Sequence, residues 1–247
     1  GVINCFATDG SNIYAGTNGG VFLSTKKGAN WTAVSTGLTN TTVTALAISG
    51  SNIFAGTNGG VFLSSNKGSS WTAVKTGLTD TKILSLAVSG SNIFAGTFGA
   101  GVFLSSNKGA SWTAVNTGLT TLYVKSIAIS GSRIFAGTTR GGGVFLSANN
   151  GSSWTAVNTG LTSPTVLSLA VSGSNIFAGT NGGGVFMSAD NGSSWTAVNS
   201  GFMNTEILSL AVSGSKIFAG TARGGGVYMS TNNGTSWSVK NDGLTCT

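Results

Sequence analysis

The chain has 247 residues and a formal net charge of +7, with 40 glycines, one proline, two cysteines and no histidine. Without histidine, a zinc or haem centre has almost no ligands and a serine triad has no base, so no metal and no cofactor is expected. The basic residues are scattered through the chain with no run of interleaved aromatics, which argues against nucleic acid as a partner, and no apolar run reaches the roughly 18 residues of a membrane helix. The chain therefore reads as soluble, or as a mature form already processed.

All six tryptophans close one eight-residue phrase, Ser-x-(Asn/Asp)-x-Gly-x-x-Trp in five copies and with Lys26 at the third place in the first, and follow one another at 40, 41, 42, 41 and 42 residues. Counting on from Trp237 through the C-terminus and round to Trp31 adds one more repeat length, which predicts a closed ring with blade 6 packed on blade 1 rather than an open solenoid. One blade of this period cannot cover both its faces alone. The expected fold is all-β: a single six-bladed β-propeller over 1–247, with four-stranded antiparallel blades at about 1–40, 41–80, 81–121, 122–163, 164–204 and 205–247.

In chain order, blade 1 holds Cys5 in its first strand, Asn18 at the tip of its second turn, and Lys26 where its sisters have Asn or Asp, which predicts a looser phrase. Blade 2 is the template. Strands are expected at 43–48, 52–57, 61–64 and 71–74, separated by Ser49-Gly50-Ser51, by Asn58-Gly59-Gly60 and by the phrase. Within the phrase, Asn66, Asn107, Asn149, Asp190 and Asn232 are placed to accept backbone NH groups, and the glycine allows positive φ. Trp71, Trp112, Trp154, Trp195 and Trp237 are large enough to wedge between blades. Blade 3 puts Phe98 at its second tip, followed by Leu122 and Tyr123 in the exit to blade 4, an apolar trio suited to stacking on a sugar ring or a partner side chain. Blades 4 and 6 carry Arg140 and Arg223, each before three glycines and each suited to a carboxylate or sulfate. Asn58 and Asn181 repeat the Asn18 tip, either as turn formers or as a shallow repeated glycan site. Glu206, at the entry to blade 6, is expected beside Arg223, a pairing that fits a salt bridge or a catalytic cleft equally.

Cys5 and Cys246 stand at opposite ends of the sequence but a few residues apart round the expected ring. A disulfide there would latch the closure and imply an oxidising compartment. The alternative for Cys5 is a small buried thiol, since its column otherwise holds Ala45, Ser85, Ser126, Ser168 and Ser209.

The phrase resembles the Asp-box, or BNR repeat, of sialidases, sortilin-type receptors and secreted bacterial propellers, and the resemblance covers all six repeats. It implies a propeller with the phrase between the third and fourth strands, on the face opposite the ligand site, and it implies a fold rather than an activity. Sialidases use an arginine triad, a Tyr/Glu pair and an acid Asp. Here Arg133 falls in a first turn on the phrase face, and Arg140 and Arg223 on the other. Tyr14 and Tyr228 fall in core columns, and the five acids show no repeated pairing. The expected function is a non-catalytic, secreted or surface-exposed module that binds a glycan, as a lectin does, or an extracellular protein through the face opposite the phrase. A second reading is a structural subunit of a self-assembling surface layer, filament or adhesive coat; a third is a sialidase-like glycosidase.

Overall fold

Runs of seven residues in which Val, Ile and Leu alternate with small residues open the repeats. Each run becomes the first strand of a four-stranded antiparallel sheet in the computed structural model, which describes residues 2–244. Blade 2 sets the pattern with Val43–Ser49, Asn52–Thr57, Gly60–Ser64 and Thr72–Ala73, each strand paired to the next in sequence. The fourth strand, expected over 71–74, keeps two ladder residues because Trp71 turns away to meet the preceding blade. Six such sheets follow one another with no helix among the described residues, so the fold is the expected all-β, six-bladed propeller.

The sheets fall into two compact units, Gly1–Asn116 with blades 1 to 3 and Thr117–Thr247 with blades 4 to 6. In the first unit, Tyr14 and Val21 of blade 1 pack against Val43, Leu46 and Trp71 of blade 2. Phe54 and Val61 of blade 2 meet Ile83 and Trp112 of blade 3 in the same way. In the second unit, Phe135 and Val144 face Val166 and Trp195, and Phe177 and Val185 face Ile207 and Trp237. Within each unit the core is therefore the set of layers between consecutive sheets. Burying one such phenylalanine contributes roughly 1.5–3 kcal/mol, so a blade gains most of its stability from its neighbour.

Two backbone features make the layers this thin. A Cβ on Gly56 would lie 2.6 Å from Cγ2 of Ile83, so only hydrogen fits where the second strand of one blade passes the first strand of the next. The tryptophan adds a polar latch to its wedge: Trp71 donates from its backbone N to the Thr36 carbonyl at 2.8 Å and from Nε1 to the Val34 carbonyl at 2.7 Å. Gly37, at φ 91°, must remain glycine, because a Cβ there would fall 2.2 Å from the Trp71 carbonyl oxygen. The same ring-to-carbonyl bond recurs at Trp112, Trp195 and Trp237. Trp31 departs from the expectation that every tryptophan wedges between blades: it is 40% exposed, against 4% for Trp71.

Tyr14 and Tyr228 are buried, as their core columns require. Cys5 is packed beside the blade 1 to blade 2 layer, and burial pushes its thiol up to about 12. Cys246 lies outside the described residues, and with it the expected pairing.

Candidate functional site

Each third strand ends in two different kinds of turn. At the phrase end, Ser64 Oγ donates to Asn66 Oδ1 at 2.9 Å and accepts from the Gly68 NH at 2.9 Å. Asn66 Oδ1 also accepts from the Ser70 NH at 2.9 Å, and its Nδ2 donates to Ser70 Oγ at 2.8 Å. Asn107, Asn149 and Asn232 repeat this set. Asp190 does the same with a carboxylate. Donation from the Ser194 hydroxyl and NH and from Ser188 holds its carboxyl down at about 2. In blade 1 the Lys26 side chain cannot accept, and of the side-chain bonds the turn keeps those of Ser24 to the Lys26 and Gly28 NH groups, the looser version expected. Sequence reasoning credited the glycine alone with positive φ. The residue before it is also left-handed, at Lys27, Lys67, Lys108, Asn150, Asn191 and Asn233. Asparagine tolerates that region and signals it, whereas lysine gives no such signal. With their polar groups satisfied within eight residues, these turns are framework.

The turns between second and third strands, at the opposite end of the sheet, differ. Each is tied at its base by a threonine hydroxyl donating to a glycine carbonyl, as in Thr57 to Gly60 and Thr138 to Gly143. In blades 3 to 6 the turn also bonds the entry segment of its own blade, through Phe98 to Lys82, Thr139 to Tyr123, Asn181 to Thr165 and Ala222 to Glu206. The varied second turns and the varied blade entries therefore share one end of each sheet.

In the first unit, the Asn18 and Asn58 tips are exposed. Asn18 Oδ1 accepts from Asn4 Nδ2 at 2.9 Å, and the Asn58 carbonyl accepts from Thr81 at 3.4 Å. Phe98 is 41% exposed with the Lys82 ammonium 3.9 Å from its ring centre, and Asp80 caps the same turn through the Gly99 NH at 2.7 Å. In the second unit, the Arg140 guanidinium lies 3.4 Å over the Tyr123 ring, a cation–π arrangement that holds both side chains in place.

Asn181, Glu206 and Arg223 come together in blades 5 and 6. Asn181 pairs with Glu206 as an isolated bridge, and Arg223 Nε stands 3.5 Å from Glu206 Oε2. They line a depression of about 340 Å³ with Gly182, Met203, Asn204 and Thr205. Asn204 braces it, donating to the Ala222 carbonyl at 2.6 Å and accepting from the Glu206 NH at 2.8 Å. Both arginine tips are left-handed, Arg140 at φ 63° and Arg223 at φ 52°, a conformation that a non-glycine side chain adopts at a cost. Sequence reasoning missed Met203, which is 97% exposed at the rim. Its column holds Thr39, Thr79, Thr120 and Thr162, so comparison among the blades carried the signal. The depression offers a carboxylate, a guanidinium and side-chain amides within one opening, a mixture that can hold a polyol or a charged group. Among the described residues, no group of three His, Cys, Asp or Glu side chains is placed to hold a metal.

Solved structures with the same fold include the extracellular domain of a putative hybrid two-component system from B. thetaiotaomicron, at TM-score 0.78 and 20% identity, covering 97% of this chain and 34% of that one. The Niastella koreensis GH74 enzyme matches at TM-score 0.74 and 19% identity over 96% of this chain and 37% of its own. YCF48 bound to D1 peptide matches at TM-score 0.73 and 15% identity over 97% and 81%. This chain thus spans about a third of the length of the first two, and at these identities the likeness is one of fold alone. No curated protein matches the chain in sequence. A family model does: the DUF6242 beta propeller domain matches residues 120–245, just over half of the chain. Four-stranded blades of this topology and the family match together identify the chain as a member of the DUF6242 beta-propeller domain family.

Proposed function

We propose that this chain is a non-catalytic, extracellular binding module that takes a glycan or a segment of an extracellular protein on its second-turn face. The observation that carries the reading is the depression formed by Asn181, Glu206 and Arg223. Its arginine stands at an exposed turn tip with the guanidinium beside the Glu206 carboxylate. The Tyr123–Arg140 pair supplies an aromatic face on the same end of its own sheet. The phrase turns, in contrast, read as Asp-boxes, whose Ser64, Asn66 and Ser70 side chains are engaged within the turn itself. Likeness to the extracellular domain of a bacterial sensor protein supports a secreted or surface location, and a YCF48 structure with bound peptide supports binding as a use of this fold. A non-catalytic role is favoured because hydrolysis of a glycosidic bond ordinarily needs two cooperating carboxyl groups, and here one carboxylate is paired with a guanidinium.

The test is a glycan array followed by titration of the best ligand with wild type, Arg223→Ala and Glu206→Gln. Loss of a charge-assisted contact predicts roughly tenfold weaker binding by Arg223→Ala with an unchanged thermal midpoint. Equal binding by both variants would remove the depression from the proposal, and turnover of a fluorogenic glycoside by wild type but not Glu206→Gln would replace it with an enzyme.

A further inference from the structure

The lysines scattered along residues 1–116 are sorted by the fold. Lys26, Lys27, Lys67, Lys75, Lys82 and Lys108 stand there against Asp9 and Asp80. Lys75 and Lys82 belong to the second-turn end, the first against Gly60 and the second over the Phe98 ring. The other four occupy the tips of the phrase turns in blades 1, 2 and 3, and all four are exposed. Consecutive sheets of this unit pack face to face. Stacked sheets lie on the order of 10 Å apart, so the three tips form a row of cations with one step per blade.

Neither acid of the unit neutralises that row. Asp80 is at the other end, where it caps the Phe98 turn through the Gly99 NH, and the half-buried Asp9 accepts from the Tyr14 hydroxyl at 3.3 Å. The turns make no use of the lysine side chains either: in blade 2 the bonds run among Ser64, Asn66, Gly68 and Ser70. In blades 4 to 6 the same left-handed place holds Asn150, Asn191 and Asn233, a residue better suited to that backbone. What Lys27, Lys67 and Lys108 add is therefore a charge on a long stem, and nothing that the sheet needs. Hydroxyls surround the row. The antiparallel order puts the first turns at the same end as the phrases, so the exposed Ser51 and Ser91 share this end with Ser65, Ser69 and Ser106.

We infer that the phrase end of the first unit is a second binding surface, one that takes an extended acidic polysaccharide. The ammonium groups of successive blades meet its carboxylates or sulfates, and the serine hydroxyls meet its ring hydroxyls. A polysaccharide fits better than a membrane, because the tips from Thr25 to Gly28, Ser65 to Gly68 and Ser106 to Gly109 offer no large apolar side chain to a bilayer. It fits better than a nucleic acid, for which these tips bring neither arginine nor an aromatic platform. The surface uses neither the second turns nor any residue of the depression proposed above, and it stands without that site.

Titration calorimetry of the purified chain with polygalacturonate, dextran sulfate and neutral dextran tests this. Three variants copy sister blades and so keep the fold: Lys27→Asn/Lys67→Asn/Lys108→Asn together, Lys67→Asn alone, and Lys75→Asn, which places at the second-turn end the residue found at Asn116. Thermal midpoints establish that each is folded. Wild type is expected to bind one or both charged polymers, to ignore dextran, and to weaken as salt rises. Loss of one exposed ion pair predicts binding about threefold weaker for Lys67→Asn and at least about tenfold weaker for the triple variant, with Lys75→Asn unchanged. Binding of polygalacturonate alone assigns the contact to carboxylates, and of dextran sulfate alone to sulfates. No binding of either polymer at low salt, equal binding by the triple variant, or equal losses from Lys67→Asn and Lys75→Asn would overturn the inference. Tighter binding of phosphatidylglycerol vesicles or of poly(dT) would overturn it too, in favour of a membrane or a nucleic acid.

Discussion

The two turns that bracket each third strand are built from similar residues and behave as opposites. The phrase turn from Ser64 to Trp71 ties the Ser64, Asn66 and Ser70 side chains to one another and to its own backbone, and then reaches into the preceding blade through Trp71. The second turn is tied at its base by a threonine, and its tip changes from Asn58 to Phe98 to Arg140 without altering the order of strands in the sheet. The lesson is that repetition marks the framework and departure from repetition marks where a ligand can be specified.

The most severe way to break that contrast is in the wedge. Trp195→Ala empties a layer and removes the donor to the Val157 carbonyl, and urea unfolding should register a loss of about 3–5 kcal/mol, whereas Arg140→Ala should move stability by less than about 0.5 kcal/mol. A smaller change sharpens it. Lys26→Asn supplies blade 1 with the acceptor its phrase lacks, for the Ser24 hydroxyl and the Asn30 NH, and should raise stability by roughly 1 kcal/mol in the same assay. The smallest effect is confined to acid. The Asp190 carboxyl titrates at about 2 in the folded chain against an ordinary 3.8, so its contribution is fully present above pH 3.8 and is lost as pH falls through about 2. Asp190→Asn, which copies the sister blades, should match wild type at neutral pH and hold its thermal midpoint better through that window; parallel pH curves for the two would disprove the assignment.

Period and composition carried the fold a long way. The tryptophan spacing gave six blades, the alternating columns gave the core positions of Tyr14 and Tyr228, and the register of blade entries and second turns foretold that Glu206 would meet Arg223. What was not legible depends on surroundings rather than on residue type. Trp31 and Trp71 sit in the same phrase, yet their exposure differs because a tryptophan is buried by the neighbouring blade and not by its own. Likewise the left-handed Lys67 is imposed by hydrogen bonds around it, against lysine's own preference. Met203 was legible but passed over, because the comparison among blades stopped at the residues just after it.

The latch from Trp71, Trp112, Trp195 and Trp237 to a carbonyl 37 to 39 residues earlier has an evolutionary corollary. Since donor and acceptor lie one repeat apart and recur in the same columns, an unequal crossover that inserts or removes a whole repeat leaves every internal junction chemically complete. Copy number can then drift by gene duplication with no junction to reinvent, while point changes at the second-turn tips vary the surface on a scaffold that barely notices them.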